Sequence, residues 1–509
     1  MFRSLAKVGS NTLLSRILGF IRDLVVAHIF GANAGTDAFF VAFKIPNFLR
    51  RLFAEGAFAV AFVPVLTEYK ERRSFDDLKR FVDHVAGTLG GVLLAVTLAG
   101  VLGAPVLAMI FAPGFIGAEG KLDLAVDMLR LTFPYLLFIS LTAFAGGILN
   151  AHGRFGIPAF TPVFLNVSLI SCAIWLAPQM DQPIMALAWG VLLAGILQLL
   201  FQIPFLRHLR LLPRFRFAPG DEGVRRIGKL MLPALFGVSV TQLNLLLDTL
   251  IASFLVSGSI SWLYYSDRLM EFPLGILGVG LATVILPNLS KKHATESPEG
   301  FSYVIDWALR WGLLLGLPAA VGLFVLAGPM IATLFQSSLF DATDVIMSRR
   351  SLMAYSLGLL SFILIKVLAP GYYSRQDTRT PVKIAVIAMI ANMVMNIILV
   401  FPLAHAGLAL ATSLSATLNA FLLFRGLRKA EVYRPEAGWP LLILRGVTAS
   451  AVMGGLLYWG VGDLASWMEG STWDKVWRLL VWVMAGIGSY FAVLALLGIG
   501  PRHFRRHAS

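Results

Sequence analysis

Residues 36–66 read TDAFFVAFKIPNFLRRLFAEGAFAVAFVPVL, a run rich in phenylalanine, alanine and valine that nonetheless holds Asp37, Lys44, Arg50, Arg51 and Glu55. The run is too long and too apolar for a surface helix of a soluble protein, and too charged to face hydrocarbon all round. Pro46 and Gly56 interrupt it, which predicts a bent helix lining a polar cavity within a membrane protein rather than a straight helix in lipid. Arg51 and Glu55 stand four residues apart and can neutralise each other, whereas Arg50 has no obvious local partner and is the better candidate for an external anion.

The remainder of the chain supports a membrane reading. Of its 509 residues 58% are hydrophobic and 14% charged, with a mean hydropathy of +0.78, a composition that excludes an ordinary soluble globule. A net charge of +14 would suggest nucleic acid in a soluble chain, but here the basic residues gather in short loops between apolar runs, so no nucleic-acid partner is expected. Fourteen runs of spanning length can be placed, at roughly 10–30, 36–66, 84–112, 125–150, 157–178, 184–206, 228–256, 261–289, 303–335, 346–372, 382–402, 406–426, 438–461 and 474–499. They are too long and apolar for barrel strands, which makes the expected fold class an all-α polytopic membrane protein of 14 transmembrane helices. Lysines and arginines outside these runs concentrate near 70, 215, 295, 377 and 432 and at both ends, so both termini are expected on the cytoplasmic side. The basic start is broken by Arg16, Arg22 and Asp23, unlike the apolar centre of a signal peptide, and is expected to remain as the first helix. The single cysteine, Cys172, lies in an apolar run and is read as packing.

An internal repeat organises the helices. VLGAPVLAMIF at 101–111 matches VLAGPMIATLF at 325–335, placing Pro105 and Pro329 224 residues apart; Pro64 with Pro287, and Pro158 with Pro381, recur at a spacing of 223. Three matches at nearly one offset imply duplication. Six helices separate the copies, so both halves point the same way, related by an axis along the membrane normal. The expected organisation is a six-helix bundle over 1–215, a second over 216–430, and two additional helices with a basic tail over 431–509.

Arginines at membrane depth are the candidate site. In the first helix Gly19 lies about 60° around the axis from both Arg16 and Arg22, so the three share one broad face, with Ser15 on the side of Arg22. In the eighth, SWLYYSDRLMEFPLGILGVG, Asp267, Arg268 and Glu271 precede Pro273; Arg268 and Glu271 can form an ion pair, or the carboxylates can orient Arg268 towards a cleft. Each central arginine costs about 2.5–3.5 kcal/mol on insertion scales, so Arg16, Arg22, Arg50 and Arg268 facing lipid would together cost on the order of 10 kcal/mol. They are expected to line water, where guanidinium groups suit a phosphate or pyrophosphate. Asp37, Lys44, Glu55, Asp267 and Glu271 are expected as supporting or gating groups. Asp248 with Asn392 and Asn396 is either a hydrogen-bonded structural cluster or an oxygen-rich cation site. No catalytic grouping and no other metal site is visible.

The segments SRILGFIRD (15–23), FGANAGTDAFFVAFKIPNFLRRLFAEGAF (30–58), YYSDRLMEFPLGILGV (264–279) and KVLAPGYYSRQDTRTPVKIA (366–385) closely resemble the bacterial MurJ/MviN lipid II flippases, and the likeness extends over essentially the whole chain. The resemblance implies a member of the multidrug/oligosaccharidyl-lipid/polysaccharide exporter superfamily in the bacterial inner membrane. Such a protein moves the undecaprenyl-pyrophosphate-linked disaccharide-peptide precursor of peptidoglycan by alternating access, with cell-wall synthesis proteins as candidate partners besides membrane lipids. It also implies that Arg16, Arg22, Arg50 and Arg268 are required, that Asp37, Glu55, Asp267 and Glu271 support them, and that the last two helices form a groove for the polyprenyl tail. Some members bind sodium in the second half; Asp248 and the two asparagines are compatible with that, although Asn396 stands where a carboxylate is wanted. No other cofactor is implied. The alternative is a multidrug/cation antiporter of the same superfamily, which would present acidic and aromatic groups to a cationic drug.

Overall fold

The computed structural model describes residues 2–52, 58–294 and 297–499. Every regular element among them is helical, as hydrocarbon requires of a chain that must satisfy its own backbone. Contacts divide the chain into two compact units, Met1–Ser261 and Trp262–Ser509.

The first unit holds α1 (Phe2–Phe30), α2 (Ala34–Arg50), α3 (Ala59–Arg72), α4 (Phe75–Leu102), α5 (Ala104–Phe111), α6 (Lys121–Thr132), α7 (Tyr135–Ala151), α8 (Gly156–Phe160), α9 (Pro162–Ser171), α10 (Met185–His208) and α11 (Glu222–Ala252). Asn33 starts α2 by a reciprocal cap, its side chain accepting from the Thr36 N–H while its own N–H donates to Thr36 Oγ1. The core is aromatic: Phe58, Phe62, Phe81, Phe144 and Tyr69 pack ring against ring between α3, α4 and α7. The repeat places a boundary at 215/216, yet by packing α11 stays with the first unit. Arg226 meets Glu68 at 2.8 Å and Asp221 meets His84 at 3.0 Å, fastening its start to α3 and α4.

The second unit contains α12 (Ser259–Pro273), α13 (Gly280–Ala294), α14 (Pro298–Val325), α15 (Ala327–Leu334), α16 (Ala342–Tyr373), α17 (Arg379–Leu403), α18 (His405–Lys429), α19 (Trp439–Val461), α20 (Ala465–Met468) and α21 (Thr472–Leu496). A π-helical stretch, Leu274–Val279, follows Pro273 directly and joins α12 to α13. Gly358 lets α16 cross α18 closely: a Cβ there would lie 2.6 Å from Ser413 Oγ, a distance only glycine avoids. Asp306, 1% exposed, accepts from Tyr433 Oη at 2.7 Å, Trp439 Nε1 at 2.7 Å and Arg310 Nε at 2.6 Å. This one carboxylate ties the loop before α19, and so the final helix pair, to α14.

The repeat is visible in backbone geometry. Both α4 and α14 are 28 residues long and both give way to an eight-residue helix, α5 or α15. The joints share one conformation, φ −84°, ψ 7° at Gly103 and φ −86°, ψ 5° at Leu326, two residues before Pro105 and three before Pro329.

Eleven helical segments among the described residues are long and apolar enough to cross a bilayer, so the chain is a multi-pass membrane protein. In α21 only 17% of the most apolar stretch is buried, and Trp459, Trp473 and Leu496 stand almost fully exposed, faces that belong against lipid. The three expected spans outside this set fall on α1, on α2 with α3, and on α11. Arg16, Arg22 and Asp23 interrupt the apolar run of α1, α2 and α3 are 17 and 14 residues long, and within α11 the stretch Leu243–Ala252 is apolar.

Replacing Asp306 by Ala strands three donors at a buried site and is expected to cost about 3 kcal/mol, read as a lower thermal midpoint in detergent and faster proteolysis of the 430–438 loop; parental behaviour would contradict the anchoring role. In the loop before α17, hydrogen bonds from the Thr380 side chain and backbone hold the Asp377 carboxyl below the usual carboxylate range. That stabilisation is present above the unfolded value near about pH 4 and is lost as pH falls through the lowered one. Asp377→Ala is therefore expected to cost roughly 1 kcal/mol at neutral pH, and thermal melts across pH should show parent and variant converging below about pH 4.

Candidate functional site

On α1, Arg22 and Asp23 are both buried. Arg22 donates to Asp23 Oδ1 from Nη2 at 2.7 Å and from Nε at 3.0 Å, and to Asn166 Oδ1 at 3.1 Å. Asn166, on α9, returns a hydrogen bond to the Ser15 carbonyl at 3.0 Å, and a Cβ at Gly19 would sit 3.7 Å from the same amide. Ser15, Gly19 and Arg22 thus share the face read from the helical angle, with Asn166 laid along it. Arg16 lies on the exposed side and makes no hydrogen bond or ion pair among the described residues.

The charges of α2 divide into distinct roles. Asp37, 1% exposed, accepts from Lys121 Nζ at 3.0 Å, from the backbone N–H of Gly258 at 2.8 Å and of Ser261 at 2.9 Å, and from Ser261 Oγ at 2.7 Å. Lys121 is itself buried, bonds to Ser257 Oγ and lies over the Phe115 ring at 4.3 Å. Asp37 is therefore the centre of a closed clasp joining α2, the start of α6 and the Ser257–Ser261 stretch that ends the first unit, with its oxygens already engaged. Lys44 donates to Thr249 Oγ1 of α11 at 2.9 Å. Arg50 donates from Nε to Asn47 at 2.8 Å and lines a cavity of about 520 Å³ walled by α3, α7, α9 and α10. Glu55 and Gly56 lie outside the described residues.

In the second unit Arg268 donates to Glu271 Oε2 at 2.7 Å and lies 4.9 Å from the Tyr264 ring centroid. The pair is partly open, with the two side chains 30% and 48% exposed; Asp267 beside it is half-buried. Asn396 donates to Asn392 Oδ1 at 2.7 Å, and Asn392 donates to Thr412 and Ser415 of α18, each at 3.3 Å. This is a hydrogen-bonded pair holding α17 to α18. Asp248 is on α11, in the first unit. Among the described residues no group of three or more His, Cys, Asp or Glu is placed to hold a metal ion.

A family model described as "Lipid II flippase MurJ" matches residues 26–476. The chain belongs to the MurJ family. A relative from Haemophilus influenzae named "Probable lipid II flippase MurJ" is 48% identical, covering 97% of this chain and 99% of the relative. One of the same name from Vibrio cholerae is 50% identical over 97% and 95%, and the "Lipid II flippase MurJ" of Burkholderia cenocepacia is 43% identical over 100% and 99%. A solved structure of "Lipid II flippase MurJ, inward closed conformation" superposes with a TM-score of 0.81 at 26% identity, covering 96% of this chain and 98% of that one. A MATE-family multidrug transporter in an inward-facing conformation matches with a TM-score of 0.70 at 14% identity, over 84% and 98%, a likeness of fold alone.

Within this MurJ-family chain several polar partners had no periodic signal to reveal them. Asn166 sits in an apolar run 144 residues from Arg22, and Lys121, at the start of α6, stands 84 residues from Asp37. Gln198 and Gln202 on α10 escaped for the same reason, being uncharged. Lys121→Ala is expected to destabilise by about 3 kcal/mol because it leaves the Asp37 carboxylate buried beside neutral donors only, whereas Asp37→Asn with Lys121→Met should recover much of that loss. Thermal melts of the single and double variants check this, and simple additivity would break the assignment of a coupled pair.

Proposed function

We propose that the chain is a lipid II flippase that carries the pyrophosphate-linked disaccharide-peptide headgroup from the cytoplasmic to the outer face of the bacterial inner membrane, both termini lying in the cytoplasm. The observation that carries this reading is likeness over nearly the whole chain to relatives named for that activity. The chemistry agrees: Arg22, Arg50 and Arg268 lie in or beside long apolar helices, and guanidinium groups grip phosphate oxygens in pairs. Alternating access follows from duplicated halves whose long helices break at matching joints. An inside-negative potential assists outward movement of an anion by about 2.3 kcal/mol per charge per 100 mV.

Acute depletion of the chain is expected to lower outer-face accessibility of the lipid-linked precursor at least tenfold, with recovery on re-expression; unchanged accessibility would overturn the proposal. Arg268→Gln separates function from stability, since neutralising one side of a half-exposed pair costs about 1 kcal/mol or less, while loss of a phosphate-gripping guanidinium should abolish recovery.

A further inference from the structure

The cavity beside Arg50 lies wholly within the first unit, and its described lining is mostly apolar, with several neutral polar side chains and Arg50 as its one charge. Gln198 and Gln202 stand one turn apart on α10, 2% and 1% exposed. Gln198 donates from Nε2 to the Thr161 carbonyl at 3.0 Å, but among the described residues its carbonyl oxygen has no hydrogen-bond partner, nor does that of Gln202. The Gln202 amide makes no side-chain hydrogen bond at all among the described residues. Buried amides are normally paired, so two incomplete ones on one wall of a 520 Å³ space, a volume within the usual range of ligand sites of about 300–1,000 Å³, mark unused recognition capacity. Asn150 adds a third amide, and Tyr135 and Phe62 supply flat apolar wall.

The chemistry of this lining selects its occupant. A phosphate or carboxylate presents only acceptors and gains nothing from glutamine carbonyl oxygens. An ammonium group would suit the carbonyls but not Arg50. A neutral group carrying both hydroxyl donors and acceptors, with an apolar face, satisfies the amides and the aromatic wall, and an anion attached to it would suit the arginine. We propose that this cavity is a subsite for a hydroxyl- and amide-bearing sugar ring joined to phosphate, read by Gln198 and Gln202 as positioning and specificity residues. The inference rests on the flippase reading and assigns it a saccharide contact inside the first unit.

The test uses the full chain in lipid nanodiscs and three probes: undecaprenyl pyrophosphate, the same lipid bearing an N-acetylated disaccharide without peptide, and the free disaccharide. The parent should bind the sugar-bearing lipid about tenfold more tightly than the bare one, and the free disaccharide far more weakly than either. Gln202→Leu and Gln198→Leu should erase the sugar-dependent difference while keeping bare-lipid affinity within about twofold. Ala143→Leu, which fills the cavity and leaves both amides in place, should do the same, so the result does not hang on one variant folding. A parent that binds both lipids alike, variants that keep the sugar preference, or variants that weaken both lipids equally would overturn the subsite while leaving the flippase reading intact. Free disaccharide binding as tightly as its lipid-linked form would overturn the assignment to a lipid headgroup. A parent that binds neither lipid would overturn the flippase reading itself.

Discussion

An ionised side chain at bilayer depth loses its water and must be answered from inside the protein, at a cost of about 3 kcal/mol or more if it is not. Much of the arrangement of this chain follows from meeting that demand helix by helix. Asp37 is met by Lys121 and two backbone donors, Arg22 by Asp23 and Asn166, Lys44 by Thr249, and Asp306 by an arginine, a tyrosine and a tryptophan. Most of these contacts cross between helices far apart in sequence, so the groups that are expensive to bury also dictate which helices meet. Hydrophobic packing alone cannot do this in lipid, where an apolar face is as well solvated by acyl chains as by another helix.

The same demand is met to different degrees at different groups. Asp37, with both oxygens occupied and 1% exposure, is a fastener. Arg268 is paired with a half-exposed Glu271 in a partly open ion pair. Arg22 lies between these cases: it is buried, with the carboxylate of its sequence neighbour Asp23 and the amide of Asn166 on α9 against its guanidinium.

The class of fold could be read from the chain because apolar run length is a one-dimensional property, and the duplication because its prolines recur at a fixed spacing. The breaks after α4 and α14 occur where those prolines announce them. The face shared by Ser15, Gly19 and Arg22 was likewise legible, since it depends on helical angle alone, and Glu271 as the mate of Arg268 follows from a separation of three. Partners remote in sequence were not: Asn166, Lys121 and Thr249 carry no local periodicity that points at α1 or α2, and a glutamine in an apolar helix looks like any other tolerated polar residue until its neighbours are known. The packing of α11 with the first unit was hidden for a related reason, because a repeat reports ancestry whereas attachment depends on side chains such as Arg226 and Glu68.

The Asp306 knot bears on how far the last helices can be separated from the rest of the second unit. A carboxylate on α14 takes two of its donors, Tyr433 and Trp439, from the segment that leads into α19. Without that segment Asp306 would keep only Arg310 of the three side chains that answer it, so a chain cut at that point would end on a half-answered buried charge rather than on a finished surface.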